Sequence, residues 1–431
     1  MVATKTVATA TAAVAVVADP VPSPLTDLRI TPGPQQLQVV TERVPGARSV
    51  AAGVWVGVGA RDEDEALSGA SHFLEHLLFK GTADRSAIDI SRVIDRCGGD
   101  INAFTNKEYT AFVTRVPQRH GGVGIGLLGD ILTAPALRDA DIETERHVIL
   151  EEIAMDDDSP DDVVHRLFAE QLFPGHPLGR ETAGTRESVL GISPAHVREF
   201  FGRHYRAGSM VVSVAGPGEH DEMFDMVAQA FTTVAGGDGR AERGAPAGLG
   251  DSVAQVDDTE QVHLVLGGRG VARNDADREA LDIVNHILGG GLSSRLFDVI
   301  REQRGLAYSV YSGTSSFVDT GMWLVSAGTT PDNAEEVLHL IDVEIAKLCE
   351  HGVTDDEIDV AKGALTGSFE LGLEDTGSRM SRNGALLCTR GEIIPVDEQV
   401  RRWLAVDRAA IRRAIDRVYR PEPLVITVGP R

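Results

Sequence analysis

The feature that most constrains the fold of this chain is an internal repeat. Residues 205–214 read YRAGSMVVSV, and residues 419–428 read YRPEPLVITV. Both stretches begin with Tyr-Arg, continue with three residues typical of turns, and end in an apolar, β-branched run typical of a buried strand. A chain that repeats one of its own segments in this way is predicted to contain two related units.

A second pair of segments supports the same repeat. Residues 54–63, VWVGVGARDE, resemble residues 264–275, LVLGGRGVARND, and each precedes a helical stretch that ends in His-apolar-Leu at His76 or His286. The offset from His76 to His286 nearly equals the offset from Tyr205 to Tyr419. In a chain of 431 residues this predicts two homologous domains of roughly 200 residues each.

Composition predicts where the domains meet. Residues 235–251, AGGDGRAERGAPAGLGD, are rich in glycine, charged and free of large apolar side chains apart from one leucine, which is typical of a flexible linker. We therefore expect a first domain at 27–234 and a second domain at 252–431. Residues 1–26 are predicted to form a disordered extension.

The pattern of strands and helices predicts the fold class. Alternating apolar stretches at 50–58 and 109–116 indicate strands, whereas helical spacing indicates helices at 86–97, 142–155 and 333–350. These elements do not follow a strict strand-helix-strand alternation. The prediction is an α+β fold in which each domain is a largely antiparallel β-sheet packed with helices.

Charge and cysteine content exclude several classes of partner. A formal charge of −24 opposes binding to nucleic acid or to an anionic membrane surface, and no run of 18 apolar residues is present to span a bilayer. The three cysteines are far apart and predict neither a disulfide framework nor a cysteine zinc site. We expect a bacterial cytoplasmic protein, with export directed by the segment 1–22 as the less favoured alternative.

One short motif predicts a metal site. Residues 71–81 read SHFLEHLLFKG, in which His72 and His76 are four residues apart and share one face of a helix, with Glu75 beside them. Two imidazoles on one face can bind zinc, and the glutamate can act on a water molecule at the metal. The alternative is a half-buried helix whose apolar residues pack while its polar residues face solvent.

A second helical segment offers a third zinc ligand. Residues 141–155 read DIETERHVILEEIAM, and helical spacing places Glu145 and Glu152 two turns apart on one face. A catalytic zinc site requires three protein ligands and one open position, so one of these carboxylates could complete it. The alternative is a solvated acidic stripe.

Together these residues resemble the inverzincin peptidases of the pitrilysin and mitochondrial-processing-peptidase family. The resemblance rests on His72-x-x-Glu75-His76, on the following Phe-Lys-Gly-Thr, and on the segment from Glu145 to Glu152, and it extends from about residue 30 to the end of the chain. It implies that His72, His76 and Glu152 bind zinc and that Glu75 is the general base. It also implies that Glu145 orients a ligand histidine.

The same resemblance implies residues that handle the substrate. The segment 98–116 is similar to the family's edge strand, to which a peptide adds as a further strand, with Asn102 and Ala103 at the matching positions. The segment 288–310 is similar to the one that supplies an arginine and a tyrosine, here Arg301 and Tyr308. The arginine would steady the substrate backbone, and the tyrosine would donate to the developing oxyanion.

The second repeat lacks the metal-binding residues. Alignment on the two histidines places Asp282 opposite His72 and Asn285 opposite Glu75, and Ser368 falls near the equivalent of Glu152. We therefore expect one zinc ion per chain. Because the family builds its chamber from four such domains, we also expect a homodimer in which Arg301 and Tyr308 of one chain serve the zinc site of the other.

The predicted function is a zinc-dependent endopeptidase that hydrolyses peptides or unstructured protein segments. The alternative is a catalytically silent structural or recognition subunit, since the family contains such members. Silent members lose the histidines or the glutamate, whereas all four motif residues are present here.

Overall fold

The computed structural model describes residues 27–430, and it contains two sheets, each packed with helices. The first sheet has the strand order β1-β2-β6-β3-β5-β4, and all neighbours are antiparallel except β2 and β6. Its strands are β1 (Asp27–Pro32), β2 (Gln38–Arg43), β3 (Ser49–Val56), β4 (Asp100–Thr105), β5 (Thr110–Pro117) and β6 (Met210–Gly216).

Eight helices belong to the first half of the described chain. They are α1 (Ala70–Leu78), α2 (Ala87–Cys97), α3 (Gly121–Thr133), α4 (Asp139–Asp157), α5 (Pro160–Leu172), α6 (Arg186–Gly191), α7 (Pro194–His204) and α8 (His220–Ala230). Local sequence sets several of their ends. Helix α2 begins where the Ser86 side chain accepts a hydrogen bond from Asp89 N, and it ends at Gly98, whose φ of 67° suits glycine.

The second half repeats the connectivity of the first. Its sheet has the order β7-β11-β8-β10-β9, and only β7 and β11 are parallel, just as β2 and β6 are in the first sheet. Its strands are β7 (Val253–Val256), β8 (Val262–Gly270), β9 (Ala307–Ser316), β10 (Gly321–Thr329) and β11 (Leu424–Gly429). This shared topology confirms the internal repeat and the α+β fold with two homologous domains.

Helices also cover the second sheet. They are α9 (Arg278–Asn285), α10 (Ala334–His351), α11 (Asp355–Gly372), α12 (Thr376–Arg390), α13 (Val396–Ala405) and α14 (Arg408–Val418), with π-helical turns at His286–Gly290 and Phe297–Glu302. The strands predicted at 50–58 and 109–116 correspond to β3 and β5. The predicted helices at 86–97, 142–155 and 333–350 correspond to α2, α4 and α10.

The two halves exchange helices. Helix α5 of the first half packs on β8 and β11 of the second sheet, where Phe168 is buried beside Val265 and Ile426. Helix α12 of the second half packs on β3 and β6 of the first sheet, where Met380 is buried with Trp55. Each sheet is therefore covered on one face by helices of its own half and on the other by a helix of the other half.

Two close approaches show how tightly α12 fits the first sheet. A Cβ atom at Gly384 would overlap the ring of Trp55, and one at Gly53 would lie 2.6 Å from the Met380 sulfur. The helix and the strands can meet at this distance only because both positions lack a side chain.

A buried group of charges joins the halves beside the β4–β5 hairpin. Arg61 Nη1 donates to Glu108 Oε1 at 2.7 Å, and Arg61 Nη2 donates to Asp319 Oδ2 of the second half at 2.5 Å. Arg273, also of the second half, binds the other oxygen of Glu108. Because buried charges are stable only when they are paired, this group fixes the hairpin relative to the second half.

Residues 235–251, predicted to be the linker, contain no helix or strand and run between α8 and β7. Arg243 within this segment binds Asp62 at 2.7 Å, so the segment contacts the first half. The domain limits at 27–234 and 252–431 remain predictions, and the predicted extension at 1–26 lies outside the described residues. Among residues 27–430, no helix has the length and apolar character needed to cross a membrane.

Candidate metal centre

Helix α1 presents one apolar face and one polar face. The apolar residues Phe73, Leu74, Leu77 and Leu78 are buried in the core of the first half, as the simple packing interpretation expected. On the polar face, the rings of His72 and His76 lie 4.6 Å apart between centroids. The helix therefore packs against the core with one face and carries the polar HxxEH residues on the other.

The start of α1 is held by a buried carboxylate. Gly69 precedes the helix with a φ of 94° and has no side chain to cap it. Instead, Glu63 accepts hydrogen bonds from the backbone N–H groups of Gly69 and Ser71, at 2.7 and 2.6 Å. These bonds satisfy two donors at the helix start, directly before His72.

Helix α4 brings a third candidate ligand to the two histidines. Glu152 Oε2 lies 3.9 Å from His72 Nε2 and 3.7 Å from His76 Nε2. One ligand atom from each residue lies within 4.8 Å of the others, and this is the one group of three or more such residues found in the described chain. Two segments that are distant in sequence thus converge on one point.

The donor set fits a zinc ion. Tetrahedral zinc with bonds of about 2.0–2.1 Å holds its ligand atoms roughly 3.4 Å apart, close to the spacing found here. Within residues 27–430, Glu152 Oε2, which faces Nε2 of both histidines, is buried without a hydrogen-bond partner. Burial and the neighbouring His76 lower the pKa of His72 to about 4, so its ring is neutral near pH 7 and keeps a free lone pair.

Glu145 contacts the centre from the same helix, α4. It is 3% exposed, its Oε2 lies 3.2 Å from His76 Nδ1, and its Oε1 lies 2.5 Å from Lys80 Nζ. A carboxylate that accepts from Nδ1–H leaves Nε2 as the lone-pair nitrogen directed at Glu152. The sequence pattern predicted no role for Lys80, although this residue follows His76 by four positions.

Glu75 is held by Thr105, a residue that no sequence motif indicated. Thr105 Oγ1, at the end of β4, donates to Glu75 Oε2 at 2.5 Å. Burial raises the pKa of Glu75, while this hydrogen bond and the nearby His76 act in the opposite direction. Nothing in the local sequence indicated the contact, because helix and strand meet only through the tertiary fold.

Asn102 and Ala103 lie on β4, which is an edge strand. It pairs with β5 from Asp100 opposite Arg115 to Thr105 opposite Thr110, and it has no strand on its other side within the described chain. Asn102 is exposed, and its Oδ1 accepts from Ala103 N at 2.9 Å. An edge of this kind can accept an extended peptide through main-chain hydrogen bonds.

Arg301 and Tyr308 lie together in the second half. The Arg301 guanidinium carbon is 5.0 Å from the centre of the Tyr308 ring, and Tyr308 is 84% exposed. In residues 27–430, no hydrogen bond or ion pair links either residue to His72, His76 or Glu152. Within the described chain, the predicted ligands converge, and Arg301 and Tyr308 make no polar contact with them.

The equivalent positions of the second half make other contacts. Asp282 accepts from Trp403 Nε1 at 3.0 Å, and Asn285 Nδ2 donates to Ser312 O at 3.4 Å. His286 begins a π-helical turn, and Ser368 lies on α11. In the part of the second half that the structure describes, no three candidate ligands converge.

Comparisons with known families match both halves. The model described as "Insulinase (Peptidase family M16)" matches residues 38–186, and the model "Peptidase M16 inactive domain" matches residues 191–365. A protein of Streptomyces coelicolor named an uncharacterized zinc protease is 43% identical over 94% of this chain and 90% of its own length. An uncharacterized zinc protease of Bacillus subtilis is 34% identical over 91% of this chain and 96% of its own.

Solved structures show the same fold. A peptidase M16 inactive domain from Pseudomonas fluorescens superposes with a TM-score of 0.88 at 20% identity, covering 94% of this chain and 98% of that one. A protease from Helicobacter pylori gives a TM-score of 0.87 at 21% identity over 94% of this chain and all of that one. Because family models match both halves and the Streptomyces and Bacillus relatives align along most of its length, the chain belongs to the insulinase family, peptidase family M16.

Proposed function

We propose that this protein is a zinc-dependent endopeptidase that hydrolyses peptides or unstructured protein segments, with one zinc ion per chain. The observation that carries the proposal is the convergence of His72, His76 and Glu152 beside Glu75. The names of the Streptomyces and Bacillus relatives, both called zinc proteases, agree with it.

His72, His76 and Glu152 would hold the metal, and Glu145 would orient His76. A zinc ion in this position supplies a Lewis acid that polarises the scissile carbonyl and makes a water molecule more acidic. Glu75 takes a proton from the attacking water and transfers it to the departing amine. These roles account for every polar residue of the HxxEH motif.

The free edge of β4 would bind the substrate. An extended peptide would add to this edge as a further strand, with Asn102 and Ala103 among the residues in contact with it. A folded protein has few unpaired extended segments, so this mode of binding favours peptides and unstructured regions.

Hydrolysis of a quenched fluorescent peptide tests the proposal. Activity is expected to disappear with a chelator, to return with zinc, and to fall at least about 1,000-fold in Glu75→Gln while its zinc content stays at one per chain. Glu152→Gln is expected to lose zinc as well as activity. Glu151→Gln, at the exposed neighbouring position, is the matched control and is expected to keep both its activity and its zinc. Undiminished cleavage by Glu75→Gln would remove Glu75 from the mechanism, and wild-type protein that binds zinc but cleaves no member of a peptide library would favour the silent-subunit alternative.

We further propose a homodimer in which Arg301 and Tyr308 act on the substrate bound at the partner's zinc site. Tyr308 is exposed and packs against Arg301, and neither residue forms a hydrogen bond or ion pair with the metal ligands within the described chain, which supports this arrangement. The tyrosine hydroxyl would donate to the oxyanion, and the guanidinium would bind the peptide backbone.

Mixed dimers test the composite site. Glu75→Gln and Tyr308→Phe chains, each inactive alone, are expected to regain up to about a quarter of wild-type activity when combined at equal amounts. Tyr311→Phe, a change to another exposed tyrosine of β9, is the control for Tyr308→Phe and is expected to stay active. A monomeric mass in solution, or verified mixed dimers without any gain in activity, would contradict the proposal.

We also propose a bacterial cytoplasmic location. The three cysteines, at positions 97, 349 and 388, are free and buried, which suits a reducing compartment. Fractionation of the source cell would test this location.

A further inference from the structure

The hydrogen bond between Thr105 and Glu75 links helix α1, which carries the candidate metal ligands, to strand β4, the proposed peptide-binding edge. Glu75 lies on α1, which also carries the histidines, whereas Thr105 is the last residue of the edge strand β4. The distance of 2.5 Å from Thr105 Oγ1 to Glu75 Oε2 is that of a short hydroxyl-to-carboxylate bond, which is among the stronger hydrogen bonds in proteins.

Thr105 is well anchored from the other side. It stands opposite Thr110 of β5, which is fully buried and donates to Val58 O at 3.0 Å. Glu108, in the turn between the two strands, belongs to the buried charge group shared with Arg61 and the second half. The hydroxyl of Thr105 is therefore presented by a fixed backbone.

The carboxylate of Glu75 needs such a fixed partner. A glutamate side chain has three rotatable bonds, and holding it in one conformation costs side-chain entropy. Within residues 27–430, Glu75 Oε2 accepts from Thr105 and Oε1 makes no hydrogen bond. One oxygen is thus held in place, and the other is free to accept a proton.

We propose that Thr105 is a positioning residue for the general base. Its hydroxyl holds one oxygen of Glu75 so that the other faces the attacking water, and its place on β4 sets that oxygen relative to the peptide bound along the same strand. This inference rests on the proposed endopeptidase function. Thr105 contacts no candidate zinc ligand through a hydrogen bond in the described chain, so its effect is confined to the base.

Conservative variants separate this role from a structural one. Thr105→Val keeps the shape of the side chain and removes the donor, and it is expected to lower kcat by about 10- to 100-fold with KM within twofold of the wild type. Thr105→Ser keeps the donor and is expected to retain at least a third of wild-type kcat. Zinc content, zinc affinity and Tm are expected to stay at wild-type values in both variants, and Thr105→Ala replaces Thr105→Val if the latter does not fold.

A structural measurement tests the contact without relying on enzyme activity, so it is independent of the proposed function. In crystals of chelator-treated protein, Glu75 is expected to occupy one conformer in the wild type and in Thr105→Ser, and more than one in Thr105→Val. If the wild type cleaves no peptide, the endopeptidase proposal fails while these conformers still test the contact. If the wild type cleaves but Thr105→Val keeps its kcat, or changes KM or zinc affinity instead, the positioning role is refuted and the endopeptidase proposal stands.

Discussion

Helix α1 of the first half and helix α9 of the second half follow equivalent strands, β3 and β8, yet their polar faces differ. The first carries His72 and Glu75, and the second carries Asp282 and Asn285. In the first half, Oε2 of Glu152, which faces Nε2 of both histidines, is buried without a hydrogen-bond partner among the described residues. In the second half, Asp282 and Asn285 each make a hydrogen bond to a neighbouring element.

This difference shows that the fold does not depend on the metal site. Five strands of each half build a sheet of the same topology, and the second half does so without any convergent ligands in its described residues. The convergence of His72, His76 and Glu152 has no counterpart among the described residues of the second half, so it identifies the half that could hold a metal. The name of the family model that matches the second half, an inactive domain, agrees with this division.

Removing one histidine from each half gives the largest contrast. His76→Ala is expected to abolish zinc binding and to lower peptide hydrolysis by about 1,000-fold or more, because two remaining ligands cannot hold a catalytic zinc. His286→Ala, at the aligned position, is expected to keep zinc and to retain activity within about threefold. Equal losses in the two variants would show that the second half takes part in metal binding.

Because the halves exchange helices, we expect them to unfold together even though their polar sites differ. Phe168→Ala in α5 and Met380→Ala in α12 each open a cavity against the opposite sheet and are expected to cost about 2–5 kcal/mol. Denaturant unfolding followed by fluorescence should give a single transition that shifts in both variants. Leu371→Ala, at a site 70% exposed, is the control and should stay within about 0.5 kcal/mol of the wild type. Two separate transitions would mean that the halves unfold independently.

A smaller contrast compares two buried glutamates that pair with lysines. Glu145 binds Lys80 and His76, and Glu145→Gln is expected to weaken zinc affinity by about 10- to 100-fold, because the histidine loses its charged acceptor. Glu344 pairs with Lys347 in the second half at 2.6 Å, and Glu344→Gln is expected to leave zinc affinity unchanged. Competition with a chromogenic chelator measures both, and an unchanged affinity for Glu145→Gln would remove its orienting role.

The sequence predicted the features that are local or repeated. The four-residue spacing predicted that His72 and His76 share one face of a helix. The similarity of residues 205–214 to residues 419–428 predicted two related strands, and the structure agrees with both predictions. Glu152 was one of two candidates on its helix until the family resemblance selected it. Its distances to both histidines agree with that choice.

Other features could not be predicted, because they depend on contacts between distant segments. The amphipathic patterns of α5 and α12 indicate a buried face but do not reveal that it lies on the sheet of the other half. The contacts of Thr105 with Glu75 and of Lys80 with Glu145 join side chains whose residue types are common on protein surfaces. In the same way, the sequence around Arg61 and Glu108 is typical of solvent-exposed charges. Only the packing of the hairpin against the second half shows that both residues are buried and paired.

Because the halves exchange helices, neither half is expected to fold fully when it is made without the other. If the gene were split within codons 235–251, neither product made alone would have a cover for one face of its sheet, and each would expose Trp55 or Val265 to water. Made in the same cell, the two fragments could restore the missing covers by binding each other. The half that has no metal ligands of its own thus supplies the helix that keeps one face of the metal-binding half's sheet out of water.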